Sequence, residues 1–295
     1  MSEYVLSLSY GKDSLACLGA IEELGLPLDR IVHAEVWATE TIHADLPPMV
    51  EFKAKADQII KERYGLEVEH VYAMRGGEKL TYERLFYHTP KRKGGKFEQG
   101  SPAGFPYQKG AWCNDRLKTN VLDAISTGNI DGWQRHGSGC GGTSALKRSA
   151  LEKAQKVGVV QYIGIAADEP NRFHNLSDRK RSPLVEAGWS EAKCHEWCED
   201  NDLLSPIYST ATRGGCWFCH NQSVEQLRLL RKNYPEYWAL MLKWDIDSPV
   251  SFKPDGHTVH DFDKRFQLED DGFVKPGERF LWNMLESDLV NYRLF

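Results

Sequence analysis

The sequence predicts an α/β protein with a doubly wound, mostly parallel sheet and a helical C-terminal part. Three observations carry that expectation. The apolar run Tyr4 to Leu8 passes through a short polar turn into a helical stretch at 15–24. Two more strand-like runs, Arg30 to Val36 and Leu66 to Tyr72, alternate with a helix-period stretch between them, and right-handed crossovers wind such a β-α-β-α-β run into an open parallel sheet. Beyond residue 185, apolar residues recur mainly at helical spacing. The expected division is therefore an α/β domain at 1–185, with a Gly-rich insertion at 126–143, and a helical part at 186–295.

Composition narrows the class. A chain of 295 residues can bury a sizeable core. Its longest apolar runs are too short to span a bilayer, and the N-terminus lacks the basic start and apolar middle of a signal peptide, so a cytoplasmic protein with no membrane partner is expected. Seven cysteines, an odd number unevenly spaced, argue against a disulfide framework and for thiols used as ligands or core filling. A formal net charge of -5 argues against wholesale nucleic-acid binding, though not against a local basic patch.

The turn after the first strand reads Ser9-Tyr10-Gly11-Lys12-Asp13-Ser14. Backbone N–H groups and the positive end of a helix dipole converge there, which suits an anion. Gly11 permits close backbone approach, Lys12 adds a full charge, and Ser9 and Ser14 offer hydroxyls. An ordinary strand-to-helix turn is the plain alternative. The following helix is apolar nearly all round, so Cys17 reads as a core thiol, and Gly25 is placed to end it.

The loop from Ala38 to Pro48 holds Glu40, His43 and Asp45 and should border the carboxyl ends of the strands, where open sheets bind ligands. His43 reads as a solvated loop histidine in preference to a catalytic one. Met49, Phe52, Ala56, Ile59, Ile60 and Tyr64 share one helical face, closed by Gly65. A short helix is expected at 81–87. The basic loop holding Lys91, Arg92, Lys93 and Lys96 is either a solvated loop or a contact for nucleic acid.

Trp112-Cys113-Asn114-Asp115-Arg116-Leu117-Lys118 opens a helix to Ile125, and Gln161 to Ile165 forms a strand that ends at Ala167-Asp168-Glu169. Cys194 and Cys198 sit at i, i+4 on a helix capped by Ser190 and read as core before metal ligands. Two helices follow, at 223–234 and 236–244, with Leu227, Leu230, Tyr237 and Leu240 as packing residues. The chain then turns polar after Asp247, until a last helix at 280–289.

The turn 9–14 resembles the Ser-x-Gly-Gly-x-Asp-Ser pyrophosphate loop of the adenine nucleotide alpha hydrolases, with Tyr10 at the place of the first Gly. The segment Gly164-Ile165-Ala166-Ala167-Asp168-Glu169, the aromatic-Cys before Arg116-Leu117-Lys118, and Arg213-Gly214-Gly215-Cys216-Trp217-Phe218-Cys219-His220 are similar to the phosphoadenosine phosphosulfate reductase family in type and order. Ala166 stands where that family commonly has Arg.

The resemblance implies an enzyme that binds an adenine nucleotide, ATP with Mg²⁺, and cleaves it between the α- and β-phosphates to activate an acceptor in sulfur transfer or nucleic-acid modification. It implies nucleotide contacts from Ser9, Tyr10, Gly11, Lys12, Asp13, Ser14, Glu35 and Gly164. Lys12, Asp13, Asp168 and Glu169 would be catalytic, and Arg116, Lys118, Arg172 and Arg213 would meet substrate anions. A sulfonucleotide reductase is the second reading, weakened because no cysteine follows Cys219. A non-catalytic nucleotide-sensing or nucleic-acid-binding module is the third. A homo-oligomer is compatible with all three.

Cys216 and Cys219 are expected to ligate zinc or an iron–sulfur cluster, because a Cys-x-x-Cys turn brings two sulfurs to one ion. Because its aromatic-Cys setting resembles the cysteine-bearing segment of cluster-containing relatives, Cys113 is the expected third ligand, with Cys140 or His220 as the fourth. A redox dithiol or buried pair is the alternative.

Overall fold

The computed structural model describes residues 2–89, 99–106, 111–125, 158–174, 176, 179–209 and 214–286. In chain order, β1 (Glu3–Leu8), α1 (Lys12–Leu24), β2 (Arg30–Glu35), α2 (Pro47–Tyr64) and β3 (Val68–Tyr72) realise the expected β-α-β-α-β run. A small hairpin of β4 (Met74–Arg75) and β5 (Glu78–Lys79) and a short helix α3 (Tyr82–Phe86) follow. Residues 112–125 are helical, as α4 (Trp112–Asn114), a π-helical turn (Asp115–Thr119) and α5 (Asn120–Ile125). Then come β6 (Val159–Tyr162), α6 (Pro170–Phe173), β7 (Lys180–Arg181), α7 (Pro183–Glu186) and α8 (Glu191–Asp200). After a 3₁₀ turn (Pro206–Ser209) the chain forms α9 (Val224–Asn233), α10 (Pro235–Asp247) and α11 (Val259–Asp270).

The chain divides into two compact units, Met1–Leu85 with Trp112–Cys216, and Phe86–Ala111 with Trp217–Phe295. The helices after residue 185 are thus shared: α8 belongs to the first unit and α9 to α11 belong to the second.

In the first unit, five parallel strands lie in the order β3-β2-β1-β6-β7. The chain runs outward from β1 through β2 to β3, then crosses back to β6 on the other side of β1. The loops leaving β1 and β6 therefore part at a topological switch point, where open sheets form a crevice. Leu6, Leu8, Leu15, Leu18, Ile31, Phe52, Ala56, Ile60 and Tyr162 make the core over which α1, α2 and α8 pack. α1 meets α8 closely at Gly19, where an added Cβ would come within 2.5 Å of the Trp197 ring. Gly25 (φ 61°) and Gly65 (φ 68°) end α1 and α2 in the left-handed conformation that glycine adopts without steric cost.

In the second unit, a capping box of Ser223 and Gln226 starts α9, and a second one of Thr258 and Asp261 starts α11. α11 overturns the expectation of a merely polar stretch after Asp247. Its Val259, Phe262 and Phe266 recur at helical spacing and are buried. The buried face of α10 is Trp238, Met241 and Trp244, whereas the expected Tyr237 and Leu240 are only half-buried. Of the expected last helix, a 3₁₀ turn (Trp282–Glu286) lies within the described residues. Glu269 is buried between Arg228 (2.5 Å) and Arg265 (3.1 Å); burial favours its neutral form, but the two guanidiniums outweigh this and hold its carboxyl below the ordinary range. Among the described residues, no helix is long and apolar enough to cross a membrane.

Candidate nucleotide site

The turn between β1 and α1 closes on itself. Ser14 donates its hydroxyl proton to the Gly11 carbonyl (2.9 Å) and accepts the Ser9 N–H (3.1 Å), so the 2.9 Å contact of the two hydroxyls is a bond from Ser9 to Ser14. Ser14 is buried. Both hydroxyls expected to face phosphate are thus engaged in shaping the loop. Gly164, which follows β6, packs against the first turn of α1: an added Cβ would stand 2.6 Å from the Ser14 nitrogen and 2.7 Å from the Asp13 carbonyl carbon. It is a spacer between the two loops at the switch point.

Tyr10 has φ 56°, one of two described non-glycine residues at positive φ. That conformation disfavours a side chain and suits glycine. Here the side chain is retained and fully buried. Its hydroxyl donates to Asp57 and lies 3.0 Å from His70 Nε2.

Behind Tyr10 lies a connected set of charges that the sequence did not reveal. His33 Nδ1 donates to the Leu8 carbonyl (2.8 Å), so Nε2 is the acceptor for the Lys53 ammonium (2.9 Å). Burial lowers the His33 pKa, in agreement with a neutral ring. Lys53, itself buried, also donates to Glu35 (2.9 Å) and pairs with Asp45 (2.5 Å). His70 reaches Asp57 (2.8 Å) and Glu35 (3.2 Å), and these two carboxylates raise its pKa to about 9. Burial pushes the Glu35 carboxyl up, but the His70 imidazolium and the Lys53 ammonium outweigh it and hold it far below the usual range. Ligand atoms of His33, Glu35 and His70 lie within 4.8 Å of one another, a spacing that could suit a metal ion. The Lys53 ammonium, 2.9 Å from two of these side chains, already supplies a cation there.

His43, expected to be solvated, is in fact engaged. Its ring lies 3.7 Å from that of Trp37, and its Nδ1 is 3.4 Å from Glu35. The two residues also form an antiparallel bridge that folds the loop 38–48 back on itself.

Lys12 is nearly buried at its side chain, 11% exposed, and its ammonium donates to Asp13 (2.6 Å) and Glu191 (3.1 Å). Burial favours the neutral amine, yet the two carboxylates outweigh it and raise the Lys12 pKa. Asp13 sits above the ordinary carboxylate range because it is buried and feels Glu191 and Glu169, against the opposing pull of Lys12. Ser190 caps α8 as expected, accepting the Lys193 N–H (3.3 Å), and Asp168 accepts the Glu191 N–H (3.0 Å) from outside the helix. Glu169 is paired with Arg172 (2.8 Å).

A cleft of about 210 Å³ opens beside the loop. It is smaller than the roughly 300–1,000 Å³ that encloses a whole drug-sized ligand, so it can take part of a nucleotide. Ser9, Tyr10 and Gly11 line it on one side, and Ala34, Val36 and Asp45 line it near the end of β2. Lys118, Gly214, Gly215 and Cys216 complete it. Glu35 is turned into the charge cluster while its neighbours Ala34 and Val36 face the cleft. Lys118 and the half-buried Arg116 are carried by the π-helical turn, a distortion frequent at functional sites.

Cys113 and Cys216 are half-buried in the first unit, and Cys219 is half-buried in the second. Trp217 and Phe218 are buried, with Trp217 stacked on Trp244 (5.7 Å) and Tyr237 (4.9 Å). Lys253 donates to the carbonyls of His220 (2.6 Å) and Gln222 (2.5 Å), fastening the turn that follows Cys219. Cys17, Cys194 and Cys198 are fully buried, and burial raises the pKa of Cys194 and Cys198 to about 12. These are core thiols. Cys140, Arg213, the basic side chains Lys91, Arg92, Lys93 and Lys96, and the insertion 126–143 lie outside the described residues.

Compared with known proteins, the chain matches no family model and no curated protein.

Proposed function

We propose that the protein binds an adenine nucleotide at the β1–α1 loop and cleaves ATP between its α- and β-phosphates, activating an acceptor by adenylation. The carrying observation is the placement of the loop. Ser9, Tyr10 and Gly11 stand at the topological switch point, line a cleft with Ala34 and Val36 of the neighbouring strand end, and are backed by a glycine spacer from the β6 loop. Phosphates would lie on the loop and the base near the end of β2. In the reaction, a nucleophilic atom of the acceptor attacks the α-phosphorus, the bond to the oxygen bridging to the β-phosphorus breaks, and pyrophosphate leaves with the electron pair.

The Lys12 ammonium and the first amides of α1 oppose the charge that builds on that leaving group. Hard carboxylate oxygens at Asp13, Asp168 and Glu169 suit Mg²⁺, which when bound would neutralise phosphate charge. Lys118, on the cleft wall, would meet an anionic part of the nucleotide or acceptor. The thiols Cys113, Cys216 and Cys219 suit zinc or an iron–sulfur cluster by their softness. The test is pyrophosphate release from ATP with candidate acceptors, together with mass spectrometry of any co-purified nucleotide. Absence of ATP binding by calorimetry would sink this reading.

A further inference from the structure

Two side chains remote in sequence already occupy two donors that the loop would offer to phosphate, the amide and the ammonium of Lys12. The Lys12 N–H, among the first amides of α1, donates to the Tyr208 hydroxyl (3.0 Å), 196 residues away. An added Cβ on Gly11 would sit 3.5 Å from that same hydroxyl, so the tip of Tyr208 lies against the loop. The Lys12 ammonium is held by Glu191 as well as by its neighbour Asp13. Glu191 is the first residue of α8, its N–H held by Asp168. Tyr208 stands edge-on to His195, one turn further along the same helix (6.2 Å).

We infer that Tyr208 and Glu191 are resident competitors for phosphate, a hydroxyl oxygen and a carboxylate oxygen standing where ligand oxygens would bind. This rests on the nucleotide reading above. One amide N–H cannot serve two acceptors at full strength, so a phosphate that takes the Lys12 amide must displace the Tyr208 hydroxyl. An ammonium shared between two carboxylates likewise has to release one of them to a phosphate oxygen. Both residues therefore set a threshold: ligands bearing a phosphate chain meet the competition, and ligands without phosphate do not.

The experiment measures binding of pyrophosphate, ATP and adenosine to the parent protein, to Tyr208→Phe and to Glu191→Gln by calorimetry, with folding checked by thermal unfolding. Tyr208→Phe leaves the Lys12 amide unsatisfied in the empty protein, so pyrophosphate and ATP should bind roughly three- to tenfold tighter, the lower end of what such a group is worth. Glu191→Gln should tighten both by a smaller factor. Adenosine binding should not change in either variant. Pyrophosphate binding that is unchanged or weaker in both folded variants overturns the competition while leaving the nucleotide reading intact, provided the parent binds ATP. If neither parent nor variants bind ATP or pyrophosphate, both readings fail.

Discussion

The Tyr10 hydroxyl donates to Asp57 on α2, which anchors the loop after β1 to a helix 47 residues further along. Tyr10 adopts a backbone conformation that glycine would hold at less cost, and the half-buried bond to Asp57 and the contact with His70 offset that strain. Tyr10→Phe should lower stability by about 1–3 kcal/mol, because the half-buried Asp57 carboxylate loses one of its donors. It should also weaken ATP binding, since the loop loses its anchor. A urea midpoint equal to that of the parent would exclude the anchoring role.

Lys12→Ala should weaken ATP binding by roughly 1.5–3 kcal/mol, the worth of a hydrogen bond to a charged group. The side chain is nearly buried and lies between two carboxylates, so its removal also leaves Asp13 and Glu191 facing each other. Calorimetry in Mg²⁺, with both proteins folded, checks this. Equal affinities would remove Lys12 from the site.

His70 gives the fold a pH dependence whose sign follows from its shift. Asp57 and Glu35 raise its folded pKa to about 9, above the ordinary value of 6.5. A proton held more tightly in the folded state stabilises it fully below the unfolded pKa, and that contribution is lost as pH rises through about 9. Between these limits the parent should lose stability faster than His70→Gln does. His33, buried and neutral, contributes in the opposite sense, as its lowered pKa penalises folding at acid pH. Urea midpoints of the two proteins that run parallel across this window would refute the assignment of charge to His70.

Anaerobically purified protein should carry zinc or iron at close to one site per chain, and Cys216→Ser with Cys219→Ser should remove it. Four-coordinate binding requires a full site, so less than about a tenth of an equivalent would mean that the thiols bind no metal. A visible spectrum then distinguishes a cluster from zinc.

What the sequence by itself determined is local in origin. Strand, turn and helix at 4–24, the alternation through Tyr72 and the glycine stops at Gly25 and Gly65 follow from periodicity and backbone preference within a few residues. The loop 9–14 was legible for the same reason, being six consecutive residues of suitable type. α11 was legible in principle too: Thr258 with Asp261 is a capping box, and Val259, Phe262 and Phe266 share a face, but the surrounding Gly, Pro, His and Asp masked the pattern.

Only the tertiary structure decided which polar side chains meet. Lys53 and Asp57 sit on a helix whose apolar stripe explained its packing, and nothing in that periodicity shows that both reach across to His33, Glu35, His70 and Tyr10. Glu35 is buried against the Lys53 ammonium, a contact that no local pattern announces. Tyr208 on the Lys12 amide joins residues 196 apart. Such pairings come from strand order and helix packing, since a charged side chain carries the same local signal whether it faces water or a partner, and only the fold removes the water.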